Sequence, residues 1–360
     1  MTTLAVTPLR IAINGYGRVG RALTRALALR FAELGNEGES LPIELVAIND
    51  TGDAESLLYL SRYDSTHGAF PDDIALTDGR LCFANQHPLL LQQTDATQLP
   101  WAELNVDLVL ETSGAYRSRA TASQHLAAGA KRVILGAVPF DDADRFIVHG
   151  VNDADLAPSD RLISAASCTT HCLAPLLAAL DADFGIEQAL LKEIHAVTSD
   201  QTPLDHVHRD PRRGRAAGHN LVPTTCSAIG ALQKVLPQLA GRIDGYSVRV
   251  PTLNVALAEL SLTLTRTPSL TDLNDWLDAL AVAHPLQLAV NHEPLVSSDF
   301  NGRREAAIID TTLTRQLGGL IQINAWYDNE TGYANRLLDW LAALAISFNQ
   351  PAWQSATSNG

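Results

Sequence analysis

Residues 13–21 read INGYGRVGR, and the spacing of their glycines predicts the fold of the first half of the chain. Gly15, Gly17 and Gly20 form a G-x-G-x-x-G pattern that ends the strand-like segment LRIAING and opens the helical segment RVGRALTRALALRFAEL. In that context the first glycine permits a tight turn, the second lets the backbone approach a pyrophosphate, and the third allows close helix–strand packing. The free N–H groups at the helix start favour phosphates. The motif therefore predicts a dinucleotide-binding loop rather than a glycine turn without a ligand.

The next strand-like segment, PIELVAIND, ends in an acidic residue, Asp50. A carboxylate at the end of the second strand can accept hydrogen bonds from a ribose diol and repels a 2′-phosphate, which predicts NAD rather than NADP as the cofactor. The separation between Gly20 and Asp50 exceeds the roughly 20 residues that are typical of this motif. We interpret FAELGNEGES, residues 31–40, as an inserted loop that accounts for the difference.

The two halves of the sequence differ in their hydrophobic pattern. In the first half, VDLVLETSG and KRVILGAV are strand-like and flank the helical segment RATASQHLAAGA, which predicts crossover connections and a parallel sheet. In the second half, segments such as IEQALLKEIHAV and NVALAELSLTLTR are longer, and several alternate as antiparallel strands do. We predict an α/β chain with a Rossmann-type domain over residues 1–167, completed by a C-terminal helix at 333–350. An α+β catalytic domain with a mostly antiparallel sheet is expected over 168–332.

The composition limits the classes of partner. The chain has 360 residues, 46% of them hydrophobic and 18% charged, which is enough for two packed domains. Its net charge of −14 argues against nucleic acid or an anionic membrane as a global partner, although a local basic pocket can still bind a small anion. The N-terminus does not resemble a secretory signal, and the four cysteines are too sparse for a disulfide framework. We expect a cytoplasmic protein.

The stretch SAASCTTHC, residues 164–172, contains two of the cysteines at the predicted start of a helix. Cys168 in the first helical turn is expected to have a lowered thiol pKa, since unpaired N–H groups stabilise a thiolate. Cys172, one turn further, is interpreted as a buried packing residue. A structural zinc on Cys168, Cys172, His171 and His195 is a poor alternative, because Cys-x₃-Cys without a second pair does not match zinc-site spacing. We predict no metal site.

His195 in KEIHAVTSDQ completes the candidate chemistry. A histidine elsewhere in the chain is the usual partner of an activated cysteine, although a lone histidine in a strand is by default only a packed residue. Combined with a dinucleotide domain, a thiolate and a histidine predict aldehyde oxidation. The thiolate adds to the aldehyde, the hemithioacetal gives up a hydride, and a second nucleophile releases the thioester.

Further segments match one known family in order and nearly from end to end. They are INGYGRVGR, AIND, YDSTHG, ETSG, AGAKRVI, GVN, SCTT, VRVPTLNV, EPLVSSDFNG and WYDNETGYANR. This ordered set resembles the glyceraldehyde-3-phosphate dehydrogenase family, including the related erythrose-4-phosphate dehydrogenases. The resemblance implies an NAD-dependent enzyme that is a homotetramer and acts on a phosphorylated aldehyde and inorganic phosphate.

The resemblance also implies roles for individual residues. Cys168 is the expected nucleophile and His195 its base. The expected cofactor-binding residues are Gly15, Gly17, Arg18, Val19, Gly20, Asp50, Ser113, Asn329 and Tyr333. The phosphate of the substrate is expected on Thr198, Asp200 and Arg249, and the attacking phosphate near Ser167, Thr169, Arg213, Cys226 and Ser227. The loop HVHRDPRRGR is expected to reach a neighbouring subunit's cofactor site, or otherwise to be a solvated basic face.

Several positions depart from the family pattern. Ala165 and His171 replace two asparagines beside the nucleophile, and Gly136 and Val138 replace a serine and a proline. Cys226 and Ser227 replace the Thr-Gly of the inorganic-phosphate loop. Phosphorylating oxidation of glyceraldehyde 3-phosphate to 1,3-bisphosphoglycerate is the first hypothesis. Oxidation of erythrose 4-phosphate to 4-phosphoerythronate with water as acyl acceptor is the alternative, and a weakly active homologue with a redox-sensing or binding role is the second alternative.

Overall fold

The computed structural model describes residues 7–37, 40–350 and 353. The chain divides into two compact units. The first unit consists of the described residues up to Ala166 and from Leu337 onward, and the second unit is Ser167–Arg336. Within the described residues, no helix is both long enough and apolar enough to cross a membrane.

The first unit is built on a mostly parallel sheet. The strands of this unit are β1 (Leu9–Asn14), β2 (Ile43–Asn49), β3 (Tyr63–Asp64), β4 (Gly68–Ala69), β5 (Ile74–Thr77), β6 (Arg80–Phe83), β7 (Leu89–Leu91), β8 (Leu108–Glu111), β9 (Arg132–Leu135), β10 (Arg145–Phe146) and β11 (Leu162–Ser164). β3 and β4 pair with each other in a separate two-stranded sheet. The helices of the unit are α1 (Arg18–Glu37), α2 (Ala54–Arg62) and α3 (Arg119–Ala127). The sheet order is β10-β11-β9-β8-β1-β2-β7-β6-β5, parallel from β10 to β7 and antiparallel at the β6 and β5 edge.

The central strands of this sheet are buried on both faces. All four residues of β8 and of β9 are buried, as are five of the six in β1. Parallel strands covered by helices read as continuous apolar runs, because neither face meets water. Each fully buried Leu or Ile contributes about 1.5–3 kcal/mol. The Rossmann-type prediction is confirmed for this unit.

Helix α1 corrects the prediction of an inserted loop at residues 31–40. The helix continues through Glu37, and residues 38–39 lie outside the described part of the chain. Phe31, Ala32 and Leu34 continue the helix, and Arg30 pairs with Glu33 one turn later at 3.7 Å. Arg30 also donates to Asp339 at 3.2 Å. Most of the extra length between Gly20 and Asp50 is therefore helix.

The second unit contains a mostly antiparallel sheet. Its strands are β12 (Ile186–Ala196), β13 (Val222–Thr224), β14 (Ile243–Val250), β15 (Ala256–Leu264), β16 (Leu288–Asn291), β17 (Ala307–Asp310), β18 (Arg315–Leu317) and β19 (Leu320–Tyr327). The helices are α4 (Cys168–Phe184), α5 (Ala228–Val235), α6 (Leu270–Ala283) and α7 (Thr331–Phe348), whose residues from Leu337 belong to the first unit.

Strand β12 is central to this sheet, whose order is β13-β14-β12-β15-β19-β17-β16 with β18 beside β19. β12 pairs in parallel with β14 and antiparallel with β15, so His195 is in register with Arg249 on one side and Ala256 on the other. The register places two of the predicted site residues on adjacent strands. The predicted α+β character of this half is confirmed.

Candidate active site

The glycine loop has the shape that a pyrophosphate requires. Gly15 has φ = 96°, and a Cβ there would lie 2.2 Å from the Ser113 backbone nitrogen. A Cβ on Gly20 would lie 2.5 Å from the Gly15 carbonyl oxygen, so helix α1 packs directly on the loop. A Cβ on Gly17 would meet nothing within 4 Å. The backbone is closed on itself at Gly15 and Gly20 and open at Gly17, which fits a dinucleotide phosphate at the middle glycine.

Asp50 is fixed by the same loop. The Tyr16 N–H donates to its Oδ2 at 2.7 Å, and the Gly52 N–H donates to its Oδ1 at 2.9 Å. A carboxylate oxygen can accept two hydrogen bonds, so each oxygen retains capacity for a ribose hydroxyl. The side chain predicted to select NAD is thus held in place by the turn that carries the glycine motif.

A buried carboxylate, Glu111, joins the ends of the central strands. It accepts hydrogen bonds from Asn14 Nδ2 at 2.5 Å and from the Ser113 backbone N–H at 2.8 Å, and it also accepts from the Ser113 hydroxyl. Asn49 Nδ2 donates to Asn14 Oδ1 at 2.7 Å. Because Asn14, Asn49 and Glu111 end β1, β2 and β8, this network aligns the loops that carry Gly15, Asp50 and Ser113.

His125 completes the Glu111 network from helix α3. Trp101 Nε1–H donates to His125 Nδ1 at 3.1 Å, which assigns the imidazole proton to Nε2. Nε2 lies 3.0 Å from Glu111 Oε2 and therefore donates to it. Glu111 is 2% exposed and His125 is fully buried, so this neutral imidazole satisfies a carboxylate that would otherwise be costly to bury.

Arg18 and Val19, which are expected to bind the cofactor, lie in the first turn of α1. The guanidinium of Arg18 forms an ion pair with Asp64. Burial alone would raise the pKa of Asp64, but hydrogen bonds from Arg18 and from the His67 and Thr66 backbone lower it to about 2. Val19 is partly exposed.

In the second unit, Cys168 is the first residue of α4, and Ser167 is its N-cap. The Ser167 hydroxyl accepts a hydrogen bond from the Thr170 N–H at 3.1 Å, a cap that stabilises a helix by about 1 kcal/mol. The Sγ atom of Cys168 lies 3.7 Å from His195 Nε2. The structure thus brings together the two residues predicted to be nucleophile and base.

The imidazole of His195 is held from its other nitrogen. Nδ1 lies 2.7 Å from the Ala196 carbonyl oxygen and 2.8 Å from Arg249 Nη1. Nδ1 thus faces an acceptor, the Ala196 carbonyl, and a donor, the Arg249 guanidinium. In the tautomer whose Nδ1–H donates to Ala196, Nε2 is bare and faces the thiol, as a base requires. Burial and the Arg249 charge lower the pKa of His195 to about 4, so the free imidazole is neutral at pH 7.

The environment of Cys168 corrects the predicted lowering of its thiol pKa. Burial, followed by the negative charge of Glu193, raises that pKa to about 12. The hydrogen bonds from the Thr169 side chain and backbone and the charge of Arg249 lower this pKa but do not prevail. In the free protein the thiol and the imidazole are both neutral.

Glu193 and Tyr327 are site residues that sequence reasoning missed. The Thr169 hydroxyl donates to Glu193 Oε1, and the Tyr327 hydroxyl donates to the same oxygen at 3.1 Å. Thr169 Oγ1 lies 3.9 Å from the Cys168 sulfur. Glu193 precedes His195 by two residues in a strand, so alternation alone places both on one face, and that was the available signal.

The residues expected to bind phosphate fall into two groups. Arg249 has a buried Nε with no hydrogen-bond partner among the described residues, as a donor awaiting an anion would have. Arg213, in contrast, donates to Asp200 Oδ2 at 2.6 Å and to Thr224 Oγ1 at 2.8 Å. Thr198, two residues after β12, is partly exposed. Cys226 is partly buried, and Ser227, the N-cap of α5, is exposed.

Asn329 and Tyr333 lie in the last part of the second unit. Asn329 Oδ1 is buried without a hydrogen-bond partner among the described residues, which fits an acceptor for the amide of a nicotinamide. Tyr333 is buried and packs edge-on against His171, with ring centroids 5.3 Å apart. His171, which departs from the family pattern, is therefore a packing partner of Tyr333. Cys172 is completely buried, as predicted.

The other departures are accommodated by the backbone. The Ala165 N–H donates to the Leu135 carbonyl at 3.0 Å, and the Ala166 N–H donates to the Ser164 hydroxyl at 3.0 Å. A Cβ on Gly136 would lie 2.9 Å from the Thr112 side chain, and Arg117 donates to the Val138 carbonyl at 3.1 Å. The segment before the nucleophile is thus fixed without the asparagine of the family pattern.

All four cysteines are free, and the described residues contain no group of three or more His, Cys, Asp or Glu that could hold a metal ion.

Comparisons with known proteins agree with both units. Residues 9–119 match the family model described as the NAD binding domain of glyceraldehyde 3-phosphate dehydrogenase, and residues 167–329 match that of its C-terminal domain. The chromosomal glyceraldehyde-3-phosphate dehydrogenase of Cupriavidus necator is 42% identical over 94% of this chain and 98% of its own length. The glyceraldehyde-3-phosphate dehydrogenase of Pseudomonas aeruginosa is 42% identical over 94% of this chain and 99% of its own.

An NAD-binding domain joined to a C-terminal domain of this kind defines the class of protein as an NAD-dependent oxidoreductase. Both domains match the same family, and the curated relatives match nearly end to end. The chain belongs to the glyceraldehyde-3-phosphate dehydrogenase family.

Proposed function

We propose that this chain catalyses the NAD-dependent oxidation of glyceraldehyde 3-phosphate through a thioester on Cys168. The observation that carries the proposal is the 3.7 Å approach of His195 Nε2 to the Cys168 sulfur at the start of α4. A thiol within reach of an imidazole base is the arrangement of a cysteine nucleophile that attacks a carbonyl carbon as its proton is removed. Retention of this pair argues against a purely redox-sensing or binding role.

In the proposed mechanism, His195 accepts the thiol proton as sulfur bonds to the aldehyde carbon. It then returns that proton to the new oxygen, giving a hemithioacetal. NAD, when bound, supplies the hydride acceptor. His195 next takes the hydroxyl proton while the C=O bond of the thioester forms. The low pKa of His195 helps it release the proton to solvent afterwards.

The cofactor would be held by Gly15, Gly17, Arg18, Val19, Gly20, Asp50, Ser113, Asn329 and Tyr333. The open face at Gly17 and the unpaired Asn329 oxygen support this assignment. The phosphate of the substrate would be bound by Arg249 with Thr198 and Asp200, since the Arg249 Nε is an unused donor. We place the domain boundary at Cys168 and assign the C-terminal helix to the NAD-binding domain.

Glyceraldehyde 3-phosphate is proposed over erythrose 4-phosphate because the relatives that match nearly end to end carry the former name. Inorganic phosphate as acyl acceptor would give 1,3-bisphosphoglycerate, and water would give 3-phosphoglycerate. We also propose a cytoplasmic homotetramer. In the loop that contains HVHRDPRRGR and its flanks, Leu204 is 77% exposed and Val207 is 92% exposed, which supports burial of this loop by another copy.

The test is NADH formation by the purified protein with each aldehyde in separate reactions, followed from the first turnover. We expect a burst of NADH equal to the concentration of active sites and a kcat/KM for glyceraldehyde 3-phosphate at least roughly 10-fold above that for erythrose 4-phosphate, a difference of about 1.4 kcal/mol. Higher kcat/KM with erythrose 4-phosphate would support the alternative. No NADH with either aldehyde would reject the proposed reaction.

A further inference from the structure

Trp101 and His125 form a buried pair in the core of the first unit. Both side chains are 0% exposed, so neither is open to a bound ligand. The Tyr116 ring lies beside the imidazole, with ring centroids 5.3 Å apart, and the Trp101 Nε1–H donates to His125 Nδ1 at 3.1 Å. An imidazole packed and hydrogen-bonded in this way is held in one orientation. Any role of this pair in function therefore acts through a neighbouring residue.

The hydrogen bonds of the pair run in one direction only. An indole N–H can only donate, and a carboxylate can only accept. His125 lies between the two groups, so its Nδ1 accepts from Trp101 and its Nε2 donates to Glu111 Oε2 at 3.0 Å. The opposite tautomer would set two donors against each other and leave the carboxylate without this partner, which is costly in a core. The imidazole therefore holds Glu111 in a fixed position relative to Trp101.

Glu111 is in direct contact with the loops that are expected to bind NAD. Its Oε2 also accepts from Asn14 Nδ2 at 2.5 Å, and its Oε1 accepts from the Ser113 backbone N–H at 2.8 Å. A Cβ on Gly15 would lie 2.2 Å from that same Ser113 nitrogen, so the turn at Gly15 and the segment after β8 touch each other. A carboxylate that loses its bond to His125 is free to rotate, and Ser113 and the turn would shift with it.

We propose that His125 is a positioning residue for the cofactor loops and that Trp101 sets its tautomer and orientation. Without touching NAD, the two residues raise its affinity, because they hold Glu111, and through it Ser113 and Gly15, in the arrangement that binds the dinucleotide. The proposal rests on the proposed cofactor site and adds residues outside it. It concerns cofactor binding alone, since the candidate nucleophile and its base belong to the second unit.

Two amide variants separate the two contacts of His125. The Nε2 of a glutamine lies as many bonds from the backbone as the imidazole Nε2, so His125→Gln can still donate to Glu111. An asparagine reaches only as far as Nδ1, so His125→Asn can accept from Trp101 but does not reach Glu111. The dissociation constant of NAD is measured for each variant by isothermal titration calorimetry, without an aldehyde. We expect that of His125→Asn to rise roughly 10-fold, about 1.4 kcal/mol, and that of His125→Gln to stay within roughly threefold of the unaltered protein.

Trp101→Phe tests the other end of the pair. The phenyl ring keeps most of the apolar packing, but Nδ1 of His125 loses its donor. Because Nε2 still donates to Glu111, we expect a smaller rise in the dissociation constant of NAD, roughly three- to fivefold. This variant retains the bond between His125 and Glu111, so it also tests the proposal if His125→Asn does not fold. Unchanged NAD affinity in Trp101→Phe would show that the indole does not set the orientation of the imidazole.

The control for a merely structural role is Val106→Ala. Val106 is 1% exposed and packs in the same hydrophobic cluster as Trp101, but it precedes β8, whereas Glu111 ends that strand. Truncating a buried side chain lowers the Tm, and this truncation leaves the hydrogen bonds of Glu111 in place. The dissociation constant of NAD should therefore not change in this variant, even though thermal unfolding shows a loss of stability.

Activity gives a second readout. At saturating NAD, the kcat of His125→Asn with glyceraldehyde 3-phosphate should stay within roughly twofold of the unaltered protein, while the KM for NAD rises with its dissociation constant. Equal NAD affinity in the asparagine and glutamine variants would overturn the proposal, as would an equally weakened Val106→Ala. An unaltered protein that does not bind NAD would reject the cofactor site and this proposal with it. One that binds NAD but forms no NADH would reject the proposed reaction only, because the calorimetric comparison of the variants needs no turnover.

Discussion

Glu111 and Glu193 are both buried acids near the carboxyl ends of central strands, one in each unit, yet their surroundings differ. Glu111 accepts hydrogen bonds on both oxygens, from Asn14 at the end of β1, from Ser113 just after β8 and from His125 in α3. Glu193 accepts from Thr169 and Tyr327 on one oxygen and lies beside the candidate nucleophile. The first acid fixes the geometry of the loops, whereas the second changes the charge felt by the groups proposed to react.

The largest effect on activity is expected for Cys168→Ser, in the second unit. A hydroxyl has a pKa far above that of a thiol and cannot replace a thiolate nucleophile, so NADH formation should fall by on the order of 10⁴-fold or more. The affinity for NAD, measured by fluorescence titration, should change less than roughly twofold, because the glycine loop is untouched. Turnover near that of the unaltered protein would refute the thioester mechanism.

In the first unit, Glu111→Gln should lower the free energy of unfolding more than Glu193→Gln does in the second unit. The amide would place N–H groups against the donors of Asn14, His125 or Ser113, and leaving such donors unsatisfied costs roughly 2–5 kcal/mol. At Glu193 one glutamine oxygen can still accept from Thr169 and Tyr327, so the loss should be less than half as large. Thermal unfolding of the two variants side by side tests this order. Equal shifts in Tm would mean that the two acids share one structural role.

Asp50 lies in the first unit, where backbone N–H groups hold its carboxylate, and it is also expected to bind the cofactor. Asp50→Asn should reduce kcat/KM for NAD by roughly 10- to 150-fold, since a charge-assisted hydrogen bond contributes about 1.5–3 kcal/mol. The discrimination against NADP should narrow, because the carboxylate no longer repels a 2′-phosphate. Steady-state kinetics with both cofactors measures this. A preference for NADP in the unaltered protein would contradict the assignment of Asp50.

The sequence predicts the parts of the molecule that follow local patterns or ordered motifs. The glycine loop, the parallel strands around it and the Cys168–His195 pair follow local patterns and ordered motifs. Strands β3 to β7 were not predicted, because segments of two to four residues carry too little periodicity. Residues 31–37 were misassigned to a loop because Gly35 and Asn36 resemble turn residues, although the helix continues through them.

The electrostatics of the site could not be predicted from the sequence. The rule that a helix start lowers a thiol pKa is local, but burial and Glu193 outweigh it at Cys168. Both depend on how β12 and β19 pack beneath α4. Glu111 and His125 read as ordinary polar residues, since only the folded sheet brings them to Asn14 and Trp101. The roles of individual site residues in binding and catalysis remain predictions.

The smallest expected effect concerns the reactivity of Cys168 before any substrate is bound. Its raised pKa, about 12, favours the neutral thiol, so alkylation by iodoacetamide in the NAD-free protein should be slow at pH 7 and should rise about tenfold per pH unit through pH 9. Removing the negative charge in Glu193→Gln lowers this pKa and should accelerate alkylation at fixed pH by roughly tenfold, the equivalent of one pKa unit. Mass spectrometry of the Cys168 peptide distinguishes alkylation of Cys168 from that of the other cysteines. The control is Glu259→Gln, which removes a carboxylate on the neighbouring strand β15 that pairs with Lys192 at 2.9 Å. A plateau below pH 8 in the unaltered protein would show that the start of α4 prevails over burial and Glu193. A Glu193→Gln protein no faster than the control would show that the acid does not act on the thiol.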